Sequence, residues 1–542
     1  MKRRIAILLL IALLLGSIPA AALPVIFGGR RAVRLSLLLA KPVIRVDASR
    51  KLLPRIKPAK AVVDLEWAVE EGDDCLKVDQ EGEITGLKPG NAVVRATDKL
   101  TGLVARRRVS VRPVAAKSLS LNRNRMMLTV GESFESLAVS FNPANTTDKT
   151  VTWSFNPKVV RVTVDEATGM ATVTGVAVGT TIVVARSKNG KRVGCNVRVV
   201  DEREIFTISA VGDVLLGGDP RPEKVMQNAL GRNSYEAFHR LAEPNTGYCF
   251  ANVKRVLKED DVTIANLECV LTNRPDRLPM SNKSHVLVGR ADLGTAILRD
   301  AGVEMVTLGN NHTMDLGSAG LEDTRIALQR SGIVYGDHIN DGIYLVERNG
   351  FKLKVGLLGY QTPLSGDSSM ASIKRRIARM KRAGCNVVIA YFHWCNTKEW
   401  TSRNYPQDRA MAQAAINAGA DLVLGAHRHL PAGIESYKNR YIVHDLSNFV
   451  VGLKHQRDNA SLIFQWKVSV DKKGVKYDEG ISVIPCTTTT SSETYPATDG
   501  FGEEGARVNN WQPAILAGAE GQALIDRIQA MSNVHVPMGT VD

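Results

Sequence analysis

From Arg203 to about residue 490 one pattern repeats: a continuous run of Val, Ile and Leu, a short turn, then an amphipathic stretch with apolar residues three and four apart. Unbroken apolar runs suit strands buried on both faces, and their alternation with amphipathic helices points to an α/β architecture built on parallel strands. The predicted strands are 205–211, 262–265, 303–308, 354–358, 387–392, 422–424 and 441–443. The predicted helices are 291–301, 320–331, 370–383 and 407–418. From about Ser491 the sequence is loop-like, with one helix predicted over 521–531 and no assignable role.

Polar residues fall at the ends of these runs. Asp213 follows the first, Asn266 and Glu268 the second, Asn310-Asn311-His312 the third, His393 the fifth, and His427 and His429 the sixth. In an open α/β sheet the carboxyl ends of parallel strands converge on one crevice, so side chains distant in sequence meet there. Imidazole, carboxylate and amide oxygen form the donor set that divalent Zn, Fe or Mn accepts, and the residues suffice for two ions. Two such ions roughly 4 Å apart clamp a phosphoryl oxygen and activate water, the arrangement of hydrolytic phosphoesterases. The small Gly425 and Ala426 permit close approach before His427-Arg428-His429. His239, His285, His338, His455 and His535 lie in polar or turn-rich stretches and read as surface residues. His444 reads as a structural residue near the crevice, and Cys395 as a buried thiol rather than a ligand.

Residues 40–200 differ in character: short β-branched stretches alternate with Gly, Pro, Asn and Asp turns, and helical periodicity is nearly absent. Two parts read as copies. Val63-Asp64-Leu65-Glu66-Trp67, Ile84-Thr85-Gly86 and Ala92-Val93-Val94-Arg95-Ala96 correspond to Val151-Thr152-Trp153-Ser154, Val173-Thr174-Gly175 and Ile182-Val183-Val184-Ala185-Arg186. A buried tryptophan, a glycine turn and a strongly alternating strand are what a small two-sheet sandwich needs. Both segments, 40–112 and 113–200, resemble bacterial immunoglobulin-like domains of group 2, which implies a spacer or adhesive stalk.

At the N-terminus, Met1-Lys2-Arg3-Arg4 precedes an apolar run from Ile5 to Leu15 and a small-residue stretch from Ser17 to Ala22. Residues 1–27 therefore read as a secretory signal, either cleaved near Ala20 or Ala22 or retained as a membrane anchor. Both alternatives place the rest outside the cytoplasmic membrane, at the cell surface or secreted. The net charge of +15 is spread along the chain without a nucleic-acid-binding signature, so a nucleic-acid partner is not expected. An exported basic surface suits an anionic envelope polymer, lipid headgroups or a polyanionic product, and a generally solvated basic surface is the alternative. Seven widely spaced cysteines with no C-x-x-C pair imply free thiols rather than a disulfide framework.

Six blocks stand in a telling order: Val211-Gly212-Asp213-Val214-Leu215, Ala265-Asn266-Leu267-Glu268, Gly309-Asn310-Asn311-His312-Thr313-Met314-Asp315, His393-Trp394, Gly425-Ala426-His427-Arg428-His429 and Ser447-Asn448-Phe449-Val450. Over residues 204–490 they resemble the CapA family of poly-γ-glutamate capsule proteins. The resemblance implies a calcineurin-like metallophosphoesterase domain, a two-sheet α/β sandwich with two divalent ions at its strand ends. It implies that Asp213, Glu268 and His429 bind one ion and Asn311, His393 and His427 the other, bridged by Glu268 or Asp213. His312 becomes the catalytic imidazole, Asp315 its orienting partner, and Asn266, Asn310 and Asn448 supporting residues. Leu215 departs from the ordinary D-x-H pattern, and Glu268 stands where an aspartate is usual, departures that CapA-like proteins share.

The whole chain then reads as two all-β sandwiches, an α/β phosphoesterase domain and an extension over 491–542. A phosphoester substrate, an anionic envelope polymer and a membrane-bound polyglutamate synthase complex are the implied partners. The competing reading is a non-catalytic adhesin or capsule-export scaffold with a degenerate metal site.

Overall fold

The computed structural model describes residues 30–39, 41–221, 234–275, 282–364, 369–395, 399, 401, 405–452, 458–494 and 507–541. The signal or anchor predicted over 1–27 and the surface reading of His455 lie outside the described residues. Among the described residues no helix is long and apolar enough to cross a membrane. The chain divides into two compact units, Met1–Asn124 with Val130–Val199 and Arg125–Thr129 with Val200–Asp542.

In the first unit the two predicted copies share one strand order. Leu65–Glu71 pairs with Gly90–Asp98, which pairs with Val104–Arg112, and a second sheet runs Ser49–Lys51, Glu83–Gly86, Leu76–Val78. The equivalents are Val151–Ser154, Gly179–Ser187 and Arg192–Val200, with Ser133–Leu137, Ala171–Gly175 and Val160–Val164. Period-two burial builds the core: Gly90–Asp98 buries Ala92, Val94 and Ala96, which meet Trp67, Leu76 and Ile84 from both sheets. Two expectations are corrected. Arg34–Leu38 pairs with Leu53–Lys57, so the first copy begins before residue 40. Trp67 is buried, but Trp153 is only half-buried.

The second unit is a four-layer sandwich. One sheet contains β1 (Arg203–Val214), β2 (Val262–Leu267), β3 (Met305–Thr307) and β4 (Val334–Gly336). The other contains β5 (Gly342–Arg348), β6 (Phe351–Gln361), β7 (Val387–His393), β8 (Leu422–Ala426), β9 (Ile434–Tyr437) and β10 (Arg440–Val443). The chain then returns to the first sheet through β11 (Asn448–Val450), β12 (Ala460–Asp471), β13 (Lys476–Thr487) and β14 (Ala514–Ile515). The sheet orders are β4-β3-β2-β1-β12-β13-β14, with β11 on β1, and β5-β6-β7-β8-β10-β9. Strands β1 to β4 are mutually parallel, as are β6, β7, β8 and β10.

Alternation along each strand feeds two cores. Ile208, Ile264, Leu357, Ile389 and Leu424 meet between the sheets. The opposite face of the first sheet packs on α1 (Ser234–Ala242), α2 (Lys254–Glu259), α3 (Ala291–Ala301) and α4 (Gly317–Arg330). Val388, Ala390 and Phe392 pack on α5 (Met370–Arg382) and α6 (Pro406–Asn417). The strand ends that were expected to converge in one open sheet therefore come from two facing sheets.

The domain boundary at 490 is also corrected. Beyond it, β14 pairs with β13, and α7 (Gly518–Ala530) inserts Leu524, Ile525 and Ile528 into the inter-sheet core. Residues 507–541 are part of this unit rather than an appended tail.

Candidate metal centre

Five strand ends carry the predicted residues, and side-chain contacts link Asp213, Asn266, Glu268, Asn310, His393, His427 and His429. Asp213 lies near the end of β1, Asn266 within β2 and Glu268 just past it, Asn310 to His312 after β3, His393 at the last position of β7, and His427 and His429 just beyond β8. All but Asn311 and His312 are buried. Asn266 Nδ2 donates to Asp213 Oδ1 at 2.7 Å and lies 3.2 Å from His393 Nδ1. Asn310 Nδ2 donates to Asn266 Oδ1 at 3.0 Å and to Leu267 O at 2.8 Å, while its Oδ1 accepts from His312 N at 3.1 Å. Asn266 and Asn310 thus hold the three neighbouring strand ends of the first sheet in register.

The imidazoles come from the second sheet. His393 Nε2 is 3.2 Å from Glu268 Oε1 and 3.1 Å from His427 Nδ1. His429 Nδ1 lies 2.7 Å from Asn448 Oδ1 and 3.5 Å from Asp213 Oδ2. Since an amide oxygen only accepts, Asn448 fixes the proton on Nδ1 of His429, and in the neutral ring Nε2 keeps its lone pair.

The turn that presents the two histidines has strained backbone, with φ of 96° at His427 and 60° at His429. Arg428 between them anchors it. The backbone N of Arg428 donates to Asp445 Oδ2 at 3.0 Å, and its wholly buried guanidinium pairs with buried Asp408 at 2.8 Å. Close backbone approach also matters at two glycines. A Cβ on Gly212 would fall 1.7 Å from Ser447 O, and one on Gly425 would fall 2.2 Å from His444 O.

Electrostatics separate the ionisable groups. Burial and the charge of Glu268 push the Asp213 carboxyl upward. Burial alone would raise Glu268 as well, but charge and hydrogen bonding from His393, aided by His312 and His429, outweigh it and hold that carboxyl well below the usual range. Burial, with the adjacent His393 and His429, pushes His427 down to about 2, so its ring is neutral. Burial opposes charge on His429 too, yet the Asp213 carboxyl 3.5 Å away, with Glu268, raises it to about 10. In the protein alone an imidazolium therefore supplies the positive charge that the carboxylate pair demands.

His312 stands beside this cluster, its Nδ1 2.7 Å from Asp315 Oδ2. Asp315 is wholly buried and also accepts from Leu287 N at 2.7 Å and Lys283 Nζ at 2.7 Å. The sequence reading gave no role to Lys283 and Asp408, which no apolar run marks, or to Arg428, which it named only as the residue between His427 and His429. It also set Cys395 aside, yet that half-buried thiol lies 4.0 Å from His427 Nδ1. His239 is corrected from surface to buried, with Nδ1 2.7 Å from Tyr235 O. His285 and His535 are exposed and His338 half-buried, and His444 is a buried partner of Glu435 at 3.2 Å. All seven cysteines are free.

The residues fit a divalent cation. Among the buried side-chain atoms without a hydrogen-bond partner are Asp213 Oδ2 and Asn311 Oδ1, both oxygens that only accept. Two such oxygens, in a cluster that also holds the Glu268 carboxylate and a neutral His427, are acceptors that a divalent ion satisfies.

Comparison with known proteins agrees with this geometry in location. Residues 207–453 match the family described as bacterial capsule synthesis protein PGA_cap, and residues 115–197 match the bacterial Ig-like domain (group 2). A capsule biosynthesis protein CapA of Bacillus anthracis is 26% identical over 284 residues, covering 49% of this chain and 64% of that protein. A PGA biosynthesis protein CapA of Bacillus subtilis (strain 168) is 24% identical over 285 residues, covering 49% and 68%. A solved phosphatase structure from Mycoplasma pneumoniae superposes with a TM-score of 0.30 at 13% identity, covering 52% of this chain and 94% of that one, and nothing about activity follows from so loose a superposition. The chain spans less than two thirds of the Bacillus anthracis relative. Two parts of the chain are therefore similar to known families, residues 207–453 to PGA_cap and residues 115–197 to the bacterial Ig-like domain of group 2.

Proposed function

We propose that this chain is an exported, CapA-like envelope protein whose second unit is a metal-dependent phosphoesterase acting in the biosynthesis of polyglutamate capsule or another anionic envelope polymer. The observation that carries the reading is the convergence of carboxylates and imidazoles from strand ends of both sheets, with Asp213 Oδ2 and, after β3, Asn311 Oδ1 buried and without a hydrogen-bond partner. Asp213, Glu268 and His429 would hold one divalent ion and Asn311, His393 and His427 a second, with Glu268 or Asp213 shared. Mn, Fe and Zn all suit such donors. Bound there, the ions would polarise a phosphoryl oxygen and lower the pKa of water.

The chain's own residues set the rest of the chemistry. Asp315, neutralised by Lys283, holds the Nδ1 proton of His312, so Nε2 is the nitrogen left to pass a proton to a departing ester oxygen. Asn448 keeps His429 in the tautomer whose Nε2 is a donor atom. The buried Arg428–Asp408 pair keeps the His427 and His429 rings in place.

Both copies in the first unit act as Ig-like stalk modules in this reading. The N-terminal segment exports the chain and, if retained, tethers it at the outer face of the cytoplasmic membrane. The names of the Bacillus relatives, which tie them to capsule and PGA biosynthesis, make a membrane-bound polyglutamate synthase complex the proposed partner. One observation favours a scaffold without hydrolysis: Leu215, two residues past Asp213, is 3% exposed and packed in an apolar core, so it offers no ligand.

Turnover of an aryl phosphodiester and an aryl phosphomonoester by the full chain separates the two. The phosphoesterase reading expects hydrolysis that a chelator abolishes and Mn, Fe or Zn restores. No hydrolysis of either ester with any of the three ions overturns it in favour of the scaffold.

A further inference from the structure

Cys395 is the one cysteine of seven that is not buried. It follows the end of β7 by two residues, and Trp394 between it and His393 is fully buried, donating from Nε1 to His444 O at 2.8 Å and from its backbone N to Ala426 O at 3.1 Å. The turn is tightened further by Cys395 N donating to His393 O at 3.0 Å. This anchoring sets the thiol against the histidines: Sγ is 4.0 Å from His427 Nδ1, and the ligand atoms of His393, Cys395 and His427 all lie within 4.8 Å of one another.

Tetrahedral Zn with nitrogen and sulfur ligands places its donor atoms about 3.3–3.8 Å apart. His393 Nε2 and His427 Nδ1, at 3.1 Å, are already close to that spacing, and the sulfur is a short displacement away. Two nitrogens and a sulfur from consecutive parallel strands therefore face one point. Neither a buried packing thiol nor a disulfide partner explains the placement, since Cys395 is half-buried and free.

We propose that Cys395 is a protein ligand, alongside His393 and His427, to one divalent ion of the proposed centre, giving that ion two imidazole nitrogens and one thiolate sulfur. This rests on the metal-dependent reading above and sharpens it. Coordination forms a sulfur–metal bond while the thiol proton leaves to solvent, so oxidation states are unchanged. Thiolate is a soft donor that prefers Zn or Co over Mn, whereas an all-nitrogen-and-oxygen set admits Mn readily. The consequence is selectivity for a Zn-like ion at the position nearest His427.

Cobalt(II) titration of the metal-free full chain tests this. The proposal expects visible d–d absorption together with a near-ultraviolet sulfur-to-cobalt charge-transfer band. In Cys395→Ser and Cys395→Ala the d–d absorption remains, the charge-transfer band is lost, and the preference for Zn over Mn falls. Visible absorption without the charge-transfer band in the unaltered chain, or a band that persists in both variants, overturns the role of Cys395 while leaving the metal centre standing. Failure to bind cobalt, zinc or manganese overturns both.

Discussion

Both units are rich in sheet, yet they differ in what they bury. Among the described residues of the first unit, the buried polar side chains are Asp98, Thr146 and Ser187. Asp98 is spent on its own surroundings, its Oδ1 accepting from Asp64 N at 2.9 Å and Leu100 N at 3.3 Å. The second unit buries Asp213, Glu268, His393, His427, Arg428, His429, Asp408 and Asp445 in one connected cluster, and leaves some of their oxygens without a hydrogen-bond partner. Burying charge costs free energy that a stalk has no reason to expend, so the contrast supports the proposed chemistry in the second unit and the proposed spacer role of the first.

The sharpest way to break this contrast is at His312. His312→Asn removes the proton-passing nitrogen and is expected to lower phosphoester turnover by ~10²–10⁴-fold with bound metal unchanged. Equal turnover in variant and wild type removes His312 from the reaction. Next comes Asp408→Ala, which removes the carboxylate paired with the buried Arg428 guanidinium and is expected to destabilise the second unit by ~3–5 kcal/mol in denaturant melts. A cost below about 1 kcal/mol would mean the histidine turn is held by other means.

The opposite half of the contrast is tested by Trp67→Ala. It empties the core of the first sandwich, with an expected loss of ~3–5 kcal/mol in that unit's unfolding transition. Phosphoester turnover should not change, and a parallel loss of activity would contradict a pure spacer role.

A smaller effect is expected at Glu435, behind the histidine turn on β9. Burial would raise its carboxyl, but hydrogen bonds from His444, Arg409 and Gln413 hold it down to about 2, below its ordinary 4.5. A lowered folded-state value stabilises above the unfolded value and loses that contribution as pH falls through the folded one. Glu435→Gln should therefore cost roughly 1–2 kcal/mol near neutral pH, with the gap to wild type closing between about 4.5 and 2. A gap independent of pH would assign the loss to packing.

Much of the centre was legible because its residues adjoin Val, Ile and Leu runs that only buried strands explain. Asp213, Glu268, Asn311, His393, His427 and His429 each sit one to five residues past such a run. Arg428, Asp408 and Lys283 were not legible, because their roles depend on partners 20 to 32 residues away that only the tertiary fold brings near. Strands β12 and β13 escaped for a different reason: Gln465, Lys467 and Ser469 interrupt the apolar run of β12, which lies beside β1 rather than within the parallel set. The helix predicted at 521–531 is present at Gly518–Ala530, but its place in the core follows from Leu524, Ile525 and Ile528 meeting residues of distant strands. In the first unit, Trp67 and Trp153 occupy equivalent strands with unequal burial, a difference that their similar local sequences do not carry.

The central claim is that the five strand ends hold metal, and elemental analysis tests it most directly. Full chain incubated with Mn or Zn and freed of excess ion should retain roughly two divalent ions per molecule. The His427→Ala/His429→Ala double variant, shown folded by circular dichroism, should lose them. Wild-type protein that retains none would contradict the account.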